Sequence, residues 1–222
     1  MKINIHKYLE GAKDAKGIAV LFDVFRASNT IIACLKSGAA YLIPIGDLQE
    51  AYDLKRKNPD HLLFGERNGI PPEGFNSDNS PDHASRLNLE NKKIIITTSA
   101  GSQGIVNAKN TDQLLIGSFA NAEVIVNYIK DKNPEHVSLI AIGNNASEPA
   151  LEDEECAKYI KNKLLGKTVD FKEIKTKILN CDGANRLKRL KQDKDLEFCT
   201  ELNSQHIVPV FDREKNRIIR VK

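Results

Sequence analysis

The sequence contains no tryptophan, a single methionine and no long apolar stretch. None of its hydrophobic runs approaches the roughly 20 residues that a membrane-spanning helix requires, and its start lacks the apolar region of a secretory signal peptide. These absences predict a soluble, cytoplasmic protein without a membrane partner. The 222 residues are 41% hydrophobic and 28% charged, a balance that is typical of a globular chain rather than a disordered or fibrous one.

Zinc-binding cysteine pairs are also absent. The four cysteines lie far apart and form no C-x-x-C pair, so reduced thiols are expected: Cys34, Cys156, Cys181 and Cys199. The formal charge of +3 is small, and part of the excess sits in the basic segment 186–191. No aromatic residues interrupt that segment, which favours a solvated helix face over an RNA-binding surface. We therefore expect no nucleic-acid partner.

Strand-like and helix-like segments alternate along the chain. Residues 17–24 form a nearly continuous apolar run, as expected for a strand buried on both faces of a parallel sheet. Further apolar runs predict strands at 41–45, 93–97, 114–116 and 137–142. Helical spacing of apolar residues, with start and stop signals, predicts helices at 28–38, 48–57, 121–130 and from 105 onward. This alternation predicts a single α/β domain over 1–222, three-layered α/β/α with a largely parallel or mixed central sheet.

One long irregular stretch interrupts this pattern. Residues 65–81 are dense in Gly, Pro, Asn and charge. Loops of this length in compact domains are usually functional or disordered. Phe75 and the paired charges around it suit a folded Ω-like loop better than a linker, so we predict that the stretch is functional.

Acidic residues follow several of the apolar runs. Ligands of open α/β sheets bind beyond the carboxyl ends of the strands, and Asp23, Glu66, Glu152 and Asp153 occupy such positions. Together they could hold a hard divalent cation such as Mg²⁺. For Glu152 and Asp153 the alternative is negative charge that stabilises a helix start. A buried Asp23 needs a partner, and Arg26 is either that partner or a bidentate phosphate ligand.

A second candidate feature is the hydroxyl-rich loop 97–104, which contains Thr98, Ser99, Gly101 and Ser102. It runs into a helix start, where free backbone N–H groups and the helix dipole favour an anion. A phosphate or sulfonate would fit there. The loop has no Gly-Lys-Ser/Thr and hence no Walker motif, and turn formation alone accounts for many loops of this composition.

Several phosphatase signatures are missing. A cysteine phosphatase places five residues between its Cys and Arg, whereas only four separate Cys181 from Arg186. A haloacid-dehalogenase-type enzyme requires a second Asp two positions after the first, and Phe25 stands at that position after Asp23. None of the five histidines follows an Arg, and they form no paired metal motif. These familiar phosphatase signatures are therefore mostly excluded.

Taken together, the clusters resemble the 2-phosphosulfolactate phosphatase family of coenzyme M biosynthesis. The resemblance rests on short stretches in order between about residues 18 and 210, closed by Asp195-Leu196, Cys199 and Val208-Pro209: DVFRASNT (23–30), GERNG (65–69), PEGF (72–75), NSP (79–81), TTSAGS (97–102), GSFANA (117–122) and LEDE (151–154). One departure is Asp78, which precedes Asn79 where the family pattern leads us to expect Gly.

The resemblance implies Mg²⁺-dependent hydrolysis of 2-phosphosulfolactate to sulfolactate and phosphate. We expect catalytic roles for Asp23, Arg26, Glu66 and Arg67, and metal binding by Asp23, Glu66, Glu152 and Asp153. The expected substrate-binding residues are Ser80, Thr98, Ser99, Gly101, Ser102 and Asn121. Water is the preferred nucleophile, with an aspartyl-phosphate on Asp23 as the alternative.

Two other functions stay open at this point. The chain could act on a different phosphorylated hydroxy acid, or it could be a noncatalytic binding protein for an anionic metabolite. Metal dependence separates catalysis from binding, because an anion-binding protein needs no carboxylates beside its site. The sequence is also compatible with a homo-oligomer.

Overall fold

The computed structural model describes residues 1–221 and contains one nine-stranded sheet. The strands are β1 (Lys2–Lys7), β2 (Gly17–Phe22), β3 (Tyr41–Pro44), β4 (Leu62–Gly65), β5 (Lys93–Thr97), β6 (Thr111–Gly117), β7 (His136–Ala141), β8 (Val208–Asp212) and β9 (Arg217–Val221). The α-helices are α1 (Tyr8–Asp14), α2 (Ala27–Lys36), α3 (Leu48–Lys57), α4 (Pro81–Arg86), α5 (Gly101–Asn107), α6 (Ala122–Lys132), α7 (Leu151–Leu164), α8 (Phe171–Ile178), α9 (Asp182–Arg189) and α10 (Asp193–Cys199). Over this described part of the chain, every helix is too short or too polar to cross a bilayer.

The strand order across the sheet is β1-β7-β2-β6-β8-β9-β3-β5-β4. Strands β1, β7, β2 and β6 pair in parallel, as do β3, β5 and β4. The β8–β9 hairpin lies between these two groups and pairs antiparallel with β6 on one side and β3 on the other. The sheet is therefore mixed and mostly parallel, and it confirms the predicted α/β class.

Strand β2 explains why the fold has three layers. Its alternate side chains enter two separate hydrophobic cores, because successive residues of a strand point to opposite faces. Val20 and Phe22 belong to the core that α6 and α7 cover, and Ala19 and Leu21 belong to the core that α2 and α5 cover. Burial on both faces requires the nearly continuous apolar run from which this strand was predicted.

The loops after β2 and β5 meet at one pocket although these strands are far apart in the sheet. Three antiparallel pairings separate the two parallel groups, so these groups run in opposite directions through the ladder. Strands β2 and β5 are five steps apart in the strand order, and a twist of about 20–25° per step accumulates to roughly 100–125° over that distance. The carboxyl ends of β2 and β5 can then face one space, and Asp23 and Ser99 line the same pocket.

The predicted boundaries agree with the structure to within two residues for β2, β3, β5, β7, α2, α3 and α6. The helix expected to open at 105 instead begins at Gly101 and ends at Asn107, so the predicted start is its last turn. The first four residues of this helix are Gly, Ser, Gln and Gly, so they show no helical spacing of apolar residues.

The irregular stretch 65–81 is folded against the rest of the domain. Phe75 packs edge-on against Tyr52 of α3, with ring centroids 5.8 Å apart.

Gly65, the last residue of β4, lies against the backbone of Thr97 on β5. Its φ is +142°, and an added Cβ would lie 1.9 Å from the carbonyl oxygen of Thr97. We predict that Gly65→Ala lowers the free energy of unfolding by at least about 2 kcal/mol, because almost only glycine adopts this φ. In a chain of this size that loss corresponds to roughly 4–8 °C in Tm.

Gly74→Ala is the matched control for this measurement. Gly74 also has a positive φ, +78°, but an added Cβ there meets no atom within 4 Å. We expect it to cost only about 1 kcal/mol. Gly74→Ala reports the effect of backbone strain alone, whereas Gly65→Ala adds the contact with Thr97. Equal shifts in Tm for the two variants would contradict a clash with Thr97.

Candidate active site

A pocket of about 560 Å³ opens where the loops after β2, β4, β5 and β7 meet the starts of α7 and α9. This volume is within the range of small-molecule sites. The pocket is rich in ionisable side chains: Asp23, Arg26, Glu66, Glu148, Glu152, Asp153, Cys181, Asp182, Arg186 and Arg189. Its walls therefore combine acidic and basic groups, as a site for a charged ligand requires.

Four helices begin at this pocket. The first residues of α7 and α9, together with Ala100 before α5 and Arg26 before α2, line it. The N-terminal end of a helix carries partial positive charge and unpaired N–H groups, both of which stabilise anions. The positive ends of four helices therefore lie at one pocket, where they favour a bound anion.

Asp23 follows β2 and caps the start of α2. Its Oδ1 accepts hydrogen bonds from the backbone N–H groups of Arg26 at 3.0 Å and Ala27 at 3.2 Å. Within the described residues its Oδ2 accepts none. Burial raises the pKa of Asp23 to about 6, and the nearby carboxylates of Glu66 and Glu152 also raise it. One oxygen of this side chain is therefore anchored and the other is available.

Arg26 does not pair with the Asp23 side chain. Its guanidinium is 3% exposed and pairs with Asp195, with 3.1 Å between Nη1 and Oδ2, while Nη2 donates to the carbonyl of Gly69 at 3.1 Å. The other oxygen of Asp195 accepts a hydrogen bond from the Ser80 hydroxyl at 2.6 Å. The hypothesis of an Asp23–Arg26 ion pair is therefore wrong, because the Arg26 side chain extends towards α10.

Glu152 and Asp153 lie in the first turn of α7 and have different environments. Asp153 accepts backbone N–H groups from Val24 at 2.7 Å and Gly143 at 3.0 Å, so it joins the ends of β2 and β7. Glu152 accepts the Cys181 thiol at 3.2 Å through Oε2, and nothing bonds to Oε1 within residues 1–221. Burial raises the pKa of both carboxyl groups. Glu152 therefore has a free oxygen, whereas both oxygens of Asp153 are engaged.

Both oxygens of Glu66 are engaged as well. Oε1 accepts the N–H of Ser99 at 2.7 Å, and Oε2 accepts the N–H of Gly69 at 2.7 Å and the Ser99 hydroxyl at 3.2 Å. The next residue, Arg67, donates to the Thr97 hydroxyl at 2.8 Å and does not line the pocket. Arg67 thus joins the ends of β4 and β5, and its predicted catalytic contact stays a prediction.

Most of the predicted substrate-binding residues do not line the pocket. Thr98 and Ser102 hydrogen-bond to each other, with the Thr98 N–H 3.0 Å from Ser102 Oγ and the Ser102 N–H 3.1 Å from Thr98 Oγ1. Asn121 is buried and accepts the N–H of Ser118 at 2.8 Å. Ser99 does line the pocket. Direct contact with substrate therefore stays a prediction for the others.

Ser80 and Gly101 have structural contacts that account for their residue types. Ser80 caps α4 by accepting the N–H of His83 at 3.1 Å, in addition to its bond with Asp195. An added Cβ on Gly101 would lie 2.8 Å from Oδ2 of Asp23. The absence of a side chain at Gly101 lets α5 pack against Asp23, a reason different from the expected close approach of an anion.

Arg186 is a functional candidate that sequence reasoning missed. The segment 186–191 was interpreted as a solvated helix face, but Arg186 and Arg189 on α9 both line the pocket. The side chain of Arg186 donates through Nη1 to Oδ1 of Asn144, and its charge acts on the Asp23 carboxylate. Spacing of i, i+3 places the two arginines on one helix face, but it does not identify what that face meets.

The carboxylates fit a cation only as a partial ligand set. Among residues 1–221, no three His, Cys, Asp or Glu side chains are arranged to hold a metal unaided. Mg²⁺ usually takes one or two protein carboxylates and completes its shell with water and substrate phosphate. Oδ2 of Asp23 and Oε1 of Glu152 are free for such contacts, and a cation would also offset their mutual repulsion. The donor set fits Mg²⁺ in that form.

An α/β sheet with buried carboxylates and arginines at its strand ends defines an enzyme for a small anionic substrate. Residues 4–214 match the family model described as 2-phosphosulpholactate phosphatase. A protein of Carboxydothermus hydrogenoformans named probable 2-phosphosulfolactate phosphatase is 32% identical over 99% of this chain and 97% of its own length. A Thermotoga maritima protein of the same name is 33% identical over 87% of this chain and 88% of its own.

The chain belongs to the 2-phosphosulfolactate phosphatase family, and it is a phosphoric monoester hydrolase. This finding confirms the resemblance seen in the short motifs. It also agrees with the pocket, whose basic side chains and helix starts suit a phosphate group.

The buried Arg26–Asp195 pair generates a prediction about stability. Asp195→Ala leaves the Arg26 charge buried without its partner, so we expect a loss of about 3–5 kcal/mol in the free energy of unfolding and a Tm lower by roughly 6–20 °C. Asp53→Ala is the control, because it removes an exposed pair with Arg56 that is worth at most about 1 kcal/mol. Similar thermal shifts in both variants would contradict the role of the buried pair.

Proposed function

We propose that this chain hydrolyses 2-phosphosulfolactate to sulfolactate and phosphate, with Mg²⁺ held by Asp23 and Glu152. The substrate assignment is supported by the family match and by the names of the relatives. The observation that carries the metal assignment is the pair of unbonded carboxylate oxygens beside Arg186 in one pocket. We further propose that the protein works in the cytoplasm, where sulfolactate formation is a step of coenzyme M biosynthesis.

The positions of the side chains suggest how the site divides the work. Phosphoryl transfer depends mainly on positioning and on stabilising the charge of the transferred group. A bound Mg²⁺ would supply Lewis-acid neutralisation of the phosphate oxygens. Arg186 is held through one nitrogen by Asn144, so its other N–H groups remain available to phosphate. Glu66 fixes the loop that contains Ser99, and so holds in place the part of the pocket that Ser99 lines.

Water is the nucleophile that we propose, in preference to Asp23. Oδ2 of Asp23 packs against the start of α5, where even one added carbon on Gly101 would lie 2.8 Å from it. Oδ1 is anchored at the start of α2, so Oδ2 is the oxygen that holds Mg²⁺ in this proposal and is not left to attack phosphorus. Asp153 holds the end of β2 to the end of β7, which keeps Asp23 from moving away from α5.

Phosphate release from a small set of substrates tests the proposed function. We expect the metal-free protein with added Mg²⁺ to hydrolyse 2-phosphosulfolactate, with a higher kcat/KM than for 2-phospholactate, which lacks the sulfonate. Exhaustive chelation should abolish turnover, and restored Mg²⁺ should recover it. Full activity after chelation would exclude the metal, and tight binding of the substrate without any release of phosphate would indicate a noncatalytic binding protein.

We predict that Asp23→Asn lowers kcat/KM by a factor of about 10² or more, because the substitution keeps the shape and removes a charged group at the reacting centre. Tm should stay equal or rise, since the change removes one of several buried like charges. Phosphate release and thermal unfolding are measured on the same preparation. Asp131→Asn, on the exposed surface of α6, is the matched control. A destabilised but active Asp23→Asn variant would contradict the catalytic role.

A further inference from the structure

Asn79 carries a buried side-chain amide that makes no hydrogen bond within residues 1–221. The residue is 3% exposed and lines the pocket. Its Oδ1 is enclosed by protein, whereas the amide nitrogen is not among the enclosed atoms. The NH2, which offers two donors, is therefore the end of the amide that a ligand in the pocket can reach. Unpaired polar groups are rare in buried side chains, so this donor is a candidate for ligand binding.

The backbone at Asn79 is held in place by a buried network. The adjacent Ser80 donates to Asp195 at 2.6 Å and caps α4 through the N–H of His83. Asp195 in turn pairs with Arg26, which also lines the pocket. The segment that carries Asn79 is therefore held by hydrogen bonds on its neighbour Ser80, although within residues 1–221 nothing bonds to the Asn79 side chain.

The Arg26 guanidinium and the proposed metal ligands have different partners. Arg26 is tied to Asp195 and to the carbonyl of Gly69, whereas the Asp23 carboxylate is surrounded by the charges of Glu66, Glu152 and Arg186. Ser80, next to Asn79, shares Asp195 with Arg26. With the phosphate beside the carboxylates and Arg186, Asn79 is left for the remainder of the substrate.

We propose that Asn79 is a substrate-binding residue whose side-chain NH2 donates a hydrogen bond to an oxygen of the carboxylate or sulfonate, the groups that are not transferred. This inference rests on the proposed function. Carboxylate and sulfonate oxygens only accept hydrogen bonds, so the NH2 is the end of the amide that can pair with them. The charge of Arg26 is already balanced by Asp195. The neutral NH2 of Asn79 therefore supplies the selectivity for the carboxylate or sulfonate oxygen.

Steady-state kinetics and unfolding of two Asn79 variants test the proposal. Asn79→Ala should lower kcat/KM for 2-phosphosulfolactate by about 10- to 100-fold, mainly through KM, which corresponds to about 1.4–2.7 kcal/mol. Its Tm should stay equal or rise, because no internal hydrogen bond is lost. Asn79→Asp should lose more activity, since a carboxylate repels the anionic oxygen. Activity near that of the wild type in Asn79→Asp would overturn the donor role.

Asn76→Ala is the matched control from the same loop. Asn76 accepts the backbone N–H of Leu63 at 2.8 Å through Oδ1 and does not line the pocket. Its replacement should lower Tm and leave kcat/KM unchanged, the reverse of the result expected for Asn79→Ala. If Asn79→Ala instead behaves like Asn76→Ala, Asn79 has only a structural role and the proposal is wrong.

A second substrate identifies the group that Asn79 binds. With 2-phospholactate, an unchanged penalty for Asn79→Ala assigns the carboxylate, and a lost penalty assigns the sulfonate. If the wild type releases phosphate from neither compound, the proposed function fails, and calorimetric binding of sulfolactate then tests Asn79 separately. Weaker binding to Asn79→Ala would support the contact, whereas equal binding would overturn it.

Discussion

Several carboxylates are buried close together in one pocket, and the surrounding structure has to offset their charge. Burial and mutual repulsion raise the pKa values of Asp23, Glu152 and Asp153, because a low-dielectric environment penalises each ionised form. The fold places the starts of four helices and the side chain of Arg186 around these acids, which offsets part of the penalty. Such an arrangement is unfavourable for stability alone and is suited to binding a cation together with phosphate.

The acids divide into two groups by their hydrogen bonds. Glu66 and Asp153 have both oxygens bonded to backbone N–H groups, and they join loops that come from different strands. Asp23 and Glu152 each have one anchored oxygen and one free oxygen. The first group therefore shapes the site, and its predicted metal binding stays a prediction. The second group has oxygens free for ligands. A rigid supporting shell of this kind is what phosphoryl transfer requires, since it depends on positioning.

The sequence predicted those parts of the fold in which burial controls residue type. Strand β2 is a nearly continuous apolar run and α3 ends before Asn58-Pro59, and the positions of both were correct to within two residues. Strands β8 and β9 and the short polar helices α8 and α10 were not predicted, because their contacts are supplied by distant segments. In the site, Asp23 and Glu152 follow from their places after apolar runs. For Thr98 and Ser102 substrate binding stays a prediction, because hydroxyl residues that hydrogen-bond at a helix start resemble those of a phosphate loop. Arg186 was missed because charge gives no information about which helix face meets a cavity.

Calorimetric titration of Mg²⁺ into the metal-free protein tests the assignment of the metal without any knowledge of the substrate. We expect the wild type to bind Mg²⁺, Glu152→Gln to lose that binding, and Glu154→Gln to retain it, because the Glu154 carboxylate on α7 pairs with Lys7 instead. Mg²⁺ binding that Glu152→Gln leaves intact, or that the wild type does not show, would contradict the assignment of the metal to Asp23 and Glu152.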